Sequence, residues 1–347
     1  MKKIYIIRRQ YTPFGGVEKY IERLVKELTK RNIYKVELLH IEQPKWMPSW
    51  IKLPWYNFQV CRNRKSGIYF SSDRLTCLDI HRAGGGTHKT FLKVKGFSLN
   101  PLHPVYLILE RKTLQNSKRI IAISNMVKND IIRDYDIDPD KIDVIYNGIE
   151  LETIDEKEKK ERKARILQEF GLDDEVPIIL YVGSGFERKG VWEMLDILSR
   201  LRTPFHAFIV GKEKRMNRYR KRAQELGLEQ TVTFTGPRTD VAHFYCASDL
   251  FLFPTRYEPF GSVILEAMHY GNAVITTKQC GGGELLDEKW LMENSGDLSI
   301  VSTVEELLTT PNLLEKVKSE NEAIACKHSI AHNVDETIRV IEKVSQQ

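Results

Sequence analysis

Two carboxylates, Glu258 and Glu266, stand eight residues apart with Pro259-Phe260-Gly261-Ser262 between them. The apolar run 250–253 reads as a buried strand that Pro254 ends, and Gly261 opens a segment whose apolar residues recur at helical spacing. Glu258 then lies on a loop and Glu266 two turns into a helix, so both can face a ligand over the helix N-terminus. The unbonded N–H groups and positive dipole end there favour an anion. A solvated helix start with an ordinary glutamate would look the same, so the weight rests on what accompanies the pair. After a strand ending at Val182 comes Gly183-Ser184-Gly185-Phe186-Glu187-Arg188-Lys189-Gly190. A glycine turn with adjacent Arg188 and Lys189 at a helix start suits a diphosphate. Cations set against the helix dipole answer an anion better than they stabilise the helix.

Two further glycine turns carry weaker signals. Gly15-Gly16 follows the first apolar run, where paired glycines let a phosphate approach the backbone, although many such turns use glycine for geometry alone. His81-Arg82-Ala83-Gly84-Gly85-Gly86-Thr87-His88-Lys89 reads as a flexible cationic loop after a strand at 75–80. His81 and His88 are too loosely constrained to be metal ligands, and no carboxylate lies at ligand spacing, so no metal site is expected.

The elements that must position these residues alternate. Strands are expected at 3–8, 35–41, 67–70, 75–80, 119–124 and 142–146, with helices at 17–28, 104–114 and 125–135. Residues 155–165 are almost all charged with mixed sign, which reads as a solvated helical face and marks a domain boundary. Beyond it, strands at 177–182, 205–210, 231–235, 250–253 and 273–277 alternate with helices at 190–201, 216–226, 240–247 and 262–270. The pattern predicts an α/β fold of two Rossmann-like, doubly wound domains facing across a cleft. Their expected extents are 1–150 and 151–330. A C-terminal helix at 331–347 is expected to pack back towards the first domain.

Composition bounds the rest. The 347 residues are 41% hydrophobic and 29% charged, globular and without low-complexity tracts. Five scattered cysteines form no Cys-x-x-Cys pair, which argues against a disulfide framework and for a reducing compartment. No segment approaches the roughly 18 apolar residues of a membrane span, so the expected location is cytoplasmic, including the inner face of the cytoplasmic membrane. The net charge of +6 favours anionic partners. Trp46, Trp50 and Trp55 among lysines and prolines suit peripheral contact with an anionic membrane, or equally an insertion packed on its own domain.

Taken in order, Gly15-Gly16, Asn147-Gly148-Ile149-Glu150, Arg188-Lys189-Gly190 and Glu258-x7-Glu266 with Glu266-Ala267-Met268 resemble the retaining GT-B glycosyltransferases of family 4 over essentially the whole chain. Within that family, the 183–190 turn and Phe14-Gly15-Gly16 are most similar to bacterial lipopolysaccharide-core α-glucosyltransferases. The resemblance implies hexosyl transfer from a nucleotide sugar, UDP-linked, to a lipopolysaccharide core or similar lipid-linked glycan, with residues 1–150 binding the acceptor and 151–330 the nucleotide sugar. It implies no cofactor, no metal and no nucleic-acid partner. Glu266 would bind the donor ribose and Glu258 the sugar hydroxyls. Backbone groups around Phe260, Gly261 and Ser262 would meet sugar and diphosphate, Arg188 and Lys189 would neutralise the leaving diphosphate, and Gly15 and Gly16 would close over it. His88 and His81 are the candidate acceptor-side bases. Ser184 departs from the pattern, since many relatives carry arginine there, which places more weight on Arg188 and Lys189. Two other readings stand beside this one. One is a UDP-GlcNAc 2-epimerase-like enzyme on the same architecture. The other is a non-enzymatic basic protein that binds membrane or nucleic acid.

Overall fold

The computed structural model describes residues 2–9, 16–44 and 46–346. The chain forms two compact units, Met1–Asn147 with Ile330–Gln347, and Gly148–Ser329.

The first unit runs β1 (Lys2–Ile7), α1 (Gly16–Arg31), β2 (Tyr34–Leu39), α2 (Ser49–Arg62), β3 (Ile68–Ser71), β4 (Ile80–Ala83), α3 (His88–Lys95), α4 (Leu102–Asn116), β5 (Arg119–Ala122), α5 (Asn125–Tyr135) and β6 (Ile142–Val144). Its sheet is parallel, in the order β2-β1-β3-β4-β5-β6. Side chains of β1 alternate between two apolar layers, as a strand's period of two requires. Ile4 and Ile6 meet Ile21, Leu24 and Leu28 of α1, while Tyr5 and Ile7 meet Tyr56 and Val60 of α2. The first layer is completed from the far end of the sequence, where Val334, Ile338 and Ile341 are buried in it. Each fully buried Ile or Val contributes about 1.5–3 kcal/mol.

The second unit contains α6 (Glu156–Phe170), β7 (Ile178–Val182), α7 (Val191–Leu198), β8 (His206–Val210), α8 (Met216–Glu225), β9 (Val232–Gly236), α9 (Val241–Ala247), β10 (Leu250–Phe253), α10 (Ser262–His269), β11 (Ala273–Thr277), β12 (Leu291–Met292), α11 (Ile300–Thr309) and α12 (Pro311–Cys326). The last helix, α13 (Ile330–Gln346), is the one that returns to the first unit. The second sheet is also parallel, in the order β12-β11-β10-β7-β8-β9. β8, β10 and β11 are buried along their whole length, the continuous apolar run that a sheet covered on both faces demands. In each sheet the strand order reverses once, between β1 and β3 and between β7 and β10. Open α/β sheets bind ligands outside the strand C-termini at such points.

Three expectations are corrected. The segment holding Trp50 and Trp55 is a regular helix, α2, with Pro54 inside it; its buried residues Leu53, Tyr56 and Val60 sit at helical spacing that the prolines obscured. Residues 75–79 do not pair as a strand. β4 begins only at Ile80, and Leu75 and Leu78 are apolar because they fill the layer under α2. Cys61 and Cys77 form a disulfide, with Cα atoms 5.5 Å apart. The fold brings together two cysteines that spacing alone leaves unconnected, and the cysteine pattern therefore no longer supports a reducing compartment. No helix among the described residues is long and apolar enough to cross a membrane.

Candidate active site

Two loops leave the second sheet at its reversal point, one after β7 and one after β10. Gly190 joins them. It has φ of +77° and caps α7, and a Cβ placed on it would lie 1.7 Å from the Pro254 carbonyl oxygen. The loops are further tied by the amide of Arg256 and the hydroxyl of Thr255, which both donate to the Arg188 carbonyl, at 2.9 and 3.2 Å.

This tie sets Arg188 and Lys189 beside Glu258. The Arg188 Nη1 lies 3.0 Å and the Lys189 Nζ 3.3 Å from the same oxygen, Glu258 Oε2. Arg188 also donates to the Tyr257 carbonyl at 2.5 Å, and Lys189 Nζ stands 5.3 Å from the centre of the Phe253 ring. The Glu258 and Lys189 side chains are each 15% exposed, against 35% for Arg188. Charge-assisted contacts this sheltered from water resist screening by salt. The cations whose position suits a diphosphate and the carboxylate that the resemblance assigns to the sugar thus touch one another.

The loop bearing Glu258 is held from behind by residues that sequence reasoning passed over. The Glu258 amide donates to the Gln279 carbonyl and its carbonyl accepts from the Gly281 amide, both at 2.9 Å, a parallel bridge. The Gly282 amide donates to the Phe260 carbonyl at 2.7 Å, and a Cβ on Gly282 would meet that oxygen at 2.6 Å. The run Cys280-Gly281-Gly282-Gly283 after β11 was the available signal. Burial and the nearby Glu258 carboxylate push the Cys280 thiol up to about 12, so it stays protonated and packs. Gly261, with φ of +80°, then starts α10 with no side-chain cap. Phe260 is buried and Ser262 begins the helix. Glu266 accepts a 3.1 Å hydrogen bond from the buried Tyr245 hydroxyl. Burial and the Glu266 charge raise the Tyr245 pKa well above its ordinary value, which keeps it a donor. Tyr245 was not found in the sequence because nothing marks an α9 tyrosine as facing α10. At the departure position, the Ser184 hydroxyl accepts from the Lys212 amide at 3.2 Å.

Residues 162–323 match the model of the group 1 glycosyl transferases, and residues 78–153 that of glycosyltransferase family 4. The lipopolysaccharide glucosyltransferase WaaG of Escherichia coli K12 is 24% identical over 306 residues, covering 78% of this chain and 79% of WaaG. A crystal structure of WaaG superposes with a TM-score of 0.80 at 21% identity, over 97% of this chain and 99% of that one. This chain is a glycosyltransferase of the GT-B fold. The Anabaena protein HepE, crystallised with UDP and glucose, has the same fold, with a TM-score of 0.73 at 19% identity, over 99% of this chain and 100% of HepE.

In this glycosyltransferase the histidines of the first unit are not where a mobile loop would put them. His88 opens α3, whose N-cap Thr87 accepts from the Thr90 amide. The backbone amide of His88 donates to Glu110 at 2.7 Å, and its ring Nε2 lies 3.0 Å from His103 Nδ1. Burial and the Arg74 charge lower its pKa to about 4. His81 is a β4 residue, 4% exposed, lowered to about 3 by burial and then by Arg74. Both rings are neutral at physiological pH, and taking up a proton would work against their burial. Gly16 is the first residue of α1, and Gly15 lies outside the described residues.

Proposed function

We propose that this glycosyltransferase moves a hexosyl unit from a uridine-diphosphate sugar to a lipopolysaccharide core or similar lipid-linked glycan, with retention at the anomeric carbon and without a metal ion. The observation that carries this reading is the convergence of Arg188 and Lys189 on Glu258 at the reversal of the second sheet. In the reaction the bond between the anomeric carbon and the diphosphate oxygen breaks, and negative charge grows on that oxygen. Arg188 and Lys189 stabilise it there, the role a divalent ion would otherwise serve. Glu258 turns from the cations to the sugar hydroxyls, and Glu266, oriented by Tyr245, binds the ribose. The acceptor oxygen bonds to the anomeric carbon from the face the diphosphate leaves, and its proton passes to the departing phosphate oxygen. This route asks nothing of His81 or His88, whose lowered pKa values leave them poor bases. WaaG's name as a lipopolysaccharide glucosyltransferase and the UDP and glucose in HepE support donor and acceptor class.

Calorimetry with UDP-glucose, UDP-galactose and UDP-GlcNAc tests it. We expect one of them to bind the wild-type chain and the Glu266→Ala variant to bind it at least tenfold more weakly at unchanged melting temperature. Equal affinity in the two would overturn the ribose role. Incubating that donor without acceptor and following its sugar by NMR separates transfer from 2-epimerisation.

The same reading places the chain at an anionic membrane surface. No Asp or Glu occurs between Glu42 and Asp73, or between Asp79 and Glu110, while lysines and arginines recur in both stretches. Among the described residues, the large apolar side chains most exposed to solvent lie there, Trp46 at 82%, Phe97 at 90% and Leu99 at 85%. Trp55, on α2, instead packs against the apolar layer around Tyr5 and Ile7. Co-sedimentation with phosphatidylglycerol-containing vesicles is expected, and Trp46→Ala with Phe97→Ala should reduce it at least fivefold. Undiminished sedimentation of the double variant would remove these side chains from the account.

A further inference from the structure

Tyr181, on β7, carries a hydroxyl that the packing around it does not use. The side chain is fully buried, and its oxygen has no hydrogen-bond partner among the described residues. The ring meets Phe186 edge-on and stacks on Phe253, with centroids 5.7 Å apart in both pairs. A phenylalanine would make the same two contacts. It would also avoid the loss of stability that comes from burying a hydroxyl unpaired. The oxygen is sealed from water, so no ligand reaches it. Any partner must be a protein group already beside it.

One such group is the Lys189 ammonium. A Cβ placed on Gly183 would lie 3.2 Å from the Tyr181 hydroxyl and 3.3 Å from Lys189 Nζ, so the two flank one small space. The Phe253 ring on which Tyr181 stacks is also the ring over which Lys189 Nζ stands. Burial raises the Tyr181 pKa well above its ordinary value, with the Arg188 charge lowering it and the Glu258 charge raising it further. The hydroxyl therefore stays protonated, a neutral group whose oxygen can accept a hydrogen bond.

In the free protein Arg188 and Lys189 share Glu258 Oε2. When Glu258 turns to the sugar, Arg188 retains a second acceptor, the Tyr257 carbonyl. Lys189 retains the face of the Phe253 ring, which attracts an ammonium without aiming it. A flexible four-carbon side chain held by that contact alone loses the direction that charge stabilisation requires. The Tyr181 oxygen can give Lys189 what the Tyr257 carbonyl gives Arg188, a neutral acceptor that fixes the cation and leaves its charge whole. Glu258 fixes the cation too, but cancels the charge.

We propose that Tyr181 is a positioning residue for Lys189, its hydroxyl accepting a hydrogen bond from the ammonium once Glu258 has turned to the sugar. This rests on the reading of Lys189 as a group that stabilises the leaving diphosphate. It adds to the transfer machinery a side chain that the substrate never touches.

The test is Tyr181→Phe in the full chain, with UDP-glucose, UDP-galactose and UDP-GlcNAc as donors and water as acceptor. Release of UDP is followed with whichever donor the wild-type chain cleaves fastest. kcat should fall at least fivefold with KM within twofold of wild type, since charge on the diphosphate oxygen grows only as the bond breaks. The melting temperature without ligand should be unchanged or higher. A hydroxyl with a merely structural role would lower it on removal, so the two readouts separate positioning from packing. In a Lys189→Ala background the same substitution should cost less than twofold in kcat, because the hydroxyl then has no ammonium to hold. A smaller fall in kcat, a change confined to KM, a lower melting temperature, or a twofold or larger further loss in the Lys189→Ala background overturns the proposal. Failure of the wild-type chain to cleave any of the three donors overturns the underlying transferase reading, and the proposal with it.

Discussion

Gly190→Ala is expected to lower kcat/KM for transfer by at least a hundredfold and to lower the melting temperature. The added Cβ would sit 1.7 Å from the Pro254 carbonyl oxygen, and the residue holds φ of +77°. The left-handed conformation alone costs an alanine about 1–2 kcal/mol. The clash cannot be relieved by a side-chain rotation, because the obstacle is backbone. Relief requires the β7 and β10 loops to separate by more than about 1 Å, and a displacement of that size in a positioned site costs on the order of a hundredfold in rate. It would strain the Arg256 and Thr255 hydrogen bonds to Arg188 and move both cations relative to Glu258. Gly261→Ala is the internal comparison. Its φ is also positive, yet its nearest neighbours would be the Glu258 Cγ at 3.1 Å and the Cys280 Sγ at 3.3 Å, side-chain atoms that can give. Melting curves and steady-state kinetics on the two variants should therefore rank Gly190→Ala as the more damaging. The reverse order would mean that the contact between the loops does not organise the site.

Lys189→Ala is expected to reduce kcat by about a hundredfold to a thousandfold, the range for losing one group that stabilises developing negative charge in a sheltered site. The free protein should feel the change too. Glu258 keeps Arg188 as a partner but loses its second cation, and a buried carboxylate left short of partners costs about 1–3 kcal/mol. The two effects separate experimentally. The stability loss appears in melting without ligand, whereas the catalytic loss appears in single-turnover rates at saturating donor. Lys189→Arg should recover stability more fully than rate, because a planar guanidinium does not place its charge where the ammonium stood. A single-turnover rate for Lys189→Ala within threefold of wild type would rule out its part in stabilising the leaving group.

Much of the framework was legible in the sequence for a simple physical reason: strands buried on both faces write themselves as unbroken apolar runs. β10 and β11 fall at the residues expected, as does α5. α2 was hidden because Pro48 and Pro54 look like breakers, although Pro48 precedes the first turn and the helix tolerates Pro54. The site shows the same division. Residue types singled out Arg188, Lys189 and Glu258, but partners 70 positions apart carry no sign that they share one oxygen. Histidines in a glycine-rich stretch look available for chemistry until burial is known, and in both cases burial makes them neutral. Tyr245 and the Gly281-Gly282-Gly283 brace act through tertiary contact alone, which no spacing rule reaches.

The return of α13 to the first unit bears on the order in which the chain acquires structure during translation. The apolar layer around Ile4 and Ile6 lacks Val334, Ile338 and Ile341 until the last helix has left the ribosome. Meanwhile the contiguous Gly148–Ser329 unit is synthesised in full, a delay on the order of ten seconds or more. The unit made first is thus finished last. Its nascent sheet spends that interval with this apolar face covered by α1 but not yet by α13, a window in which a chaperone can act.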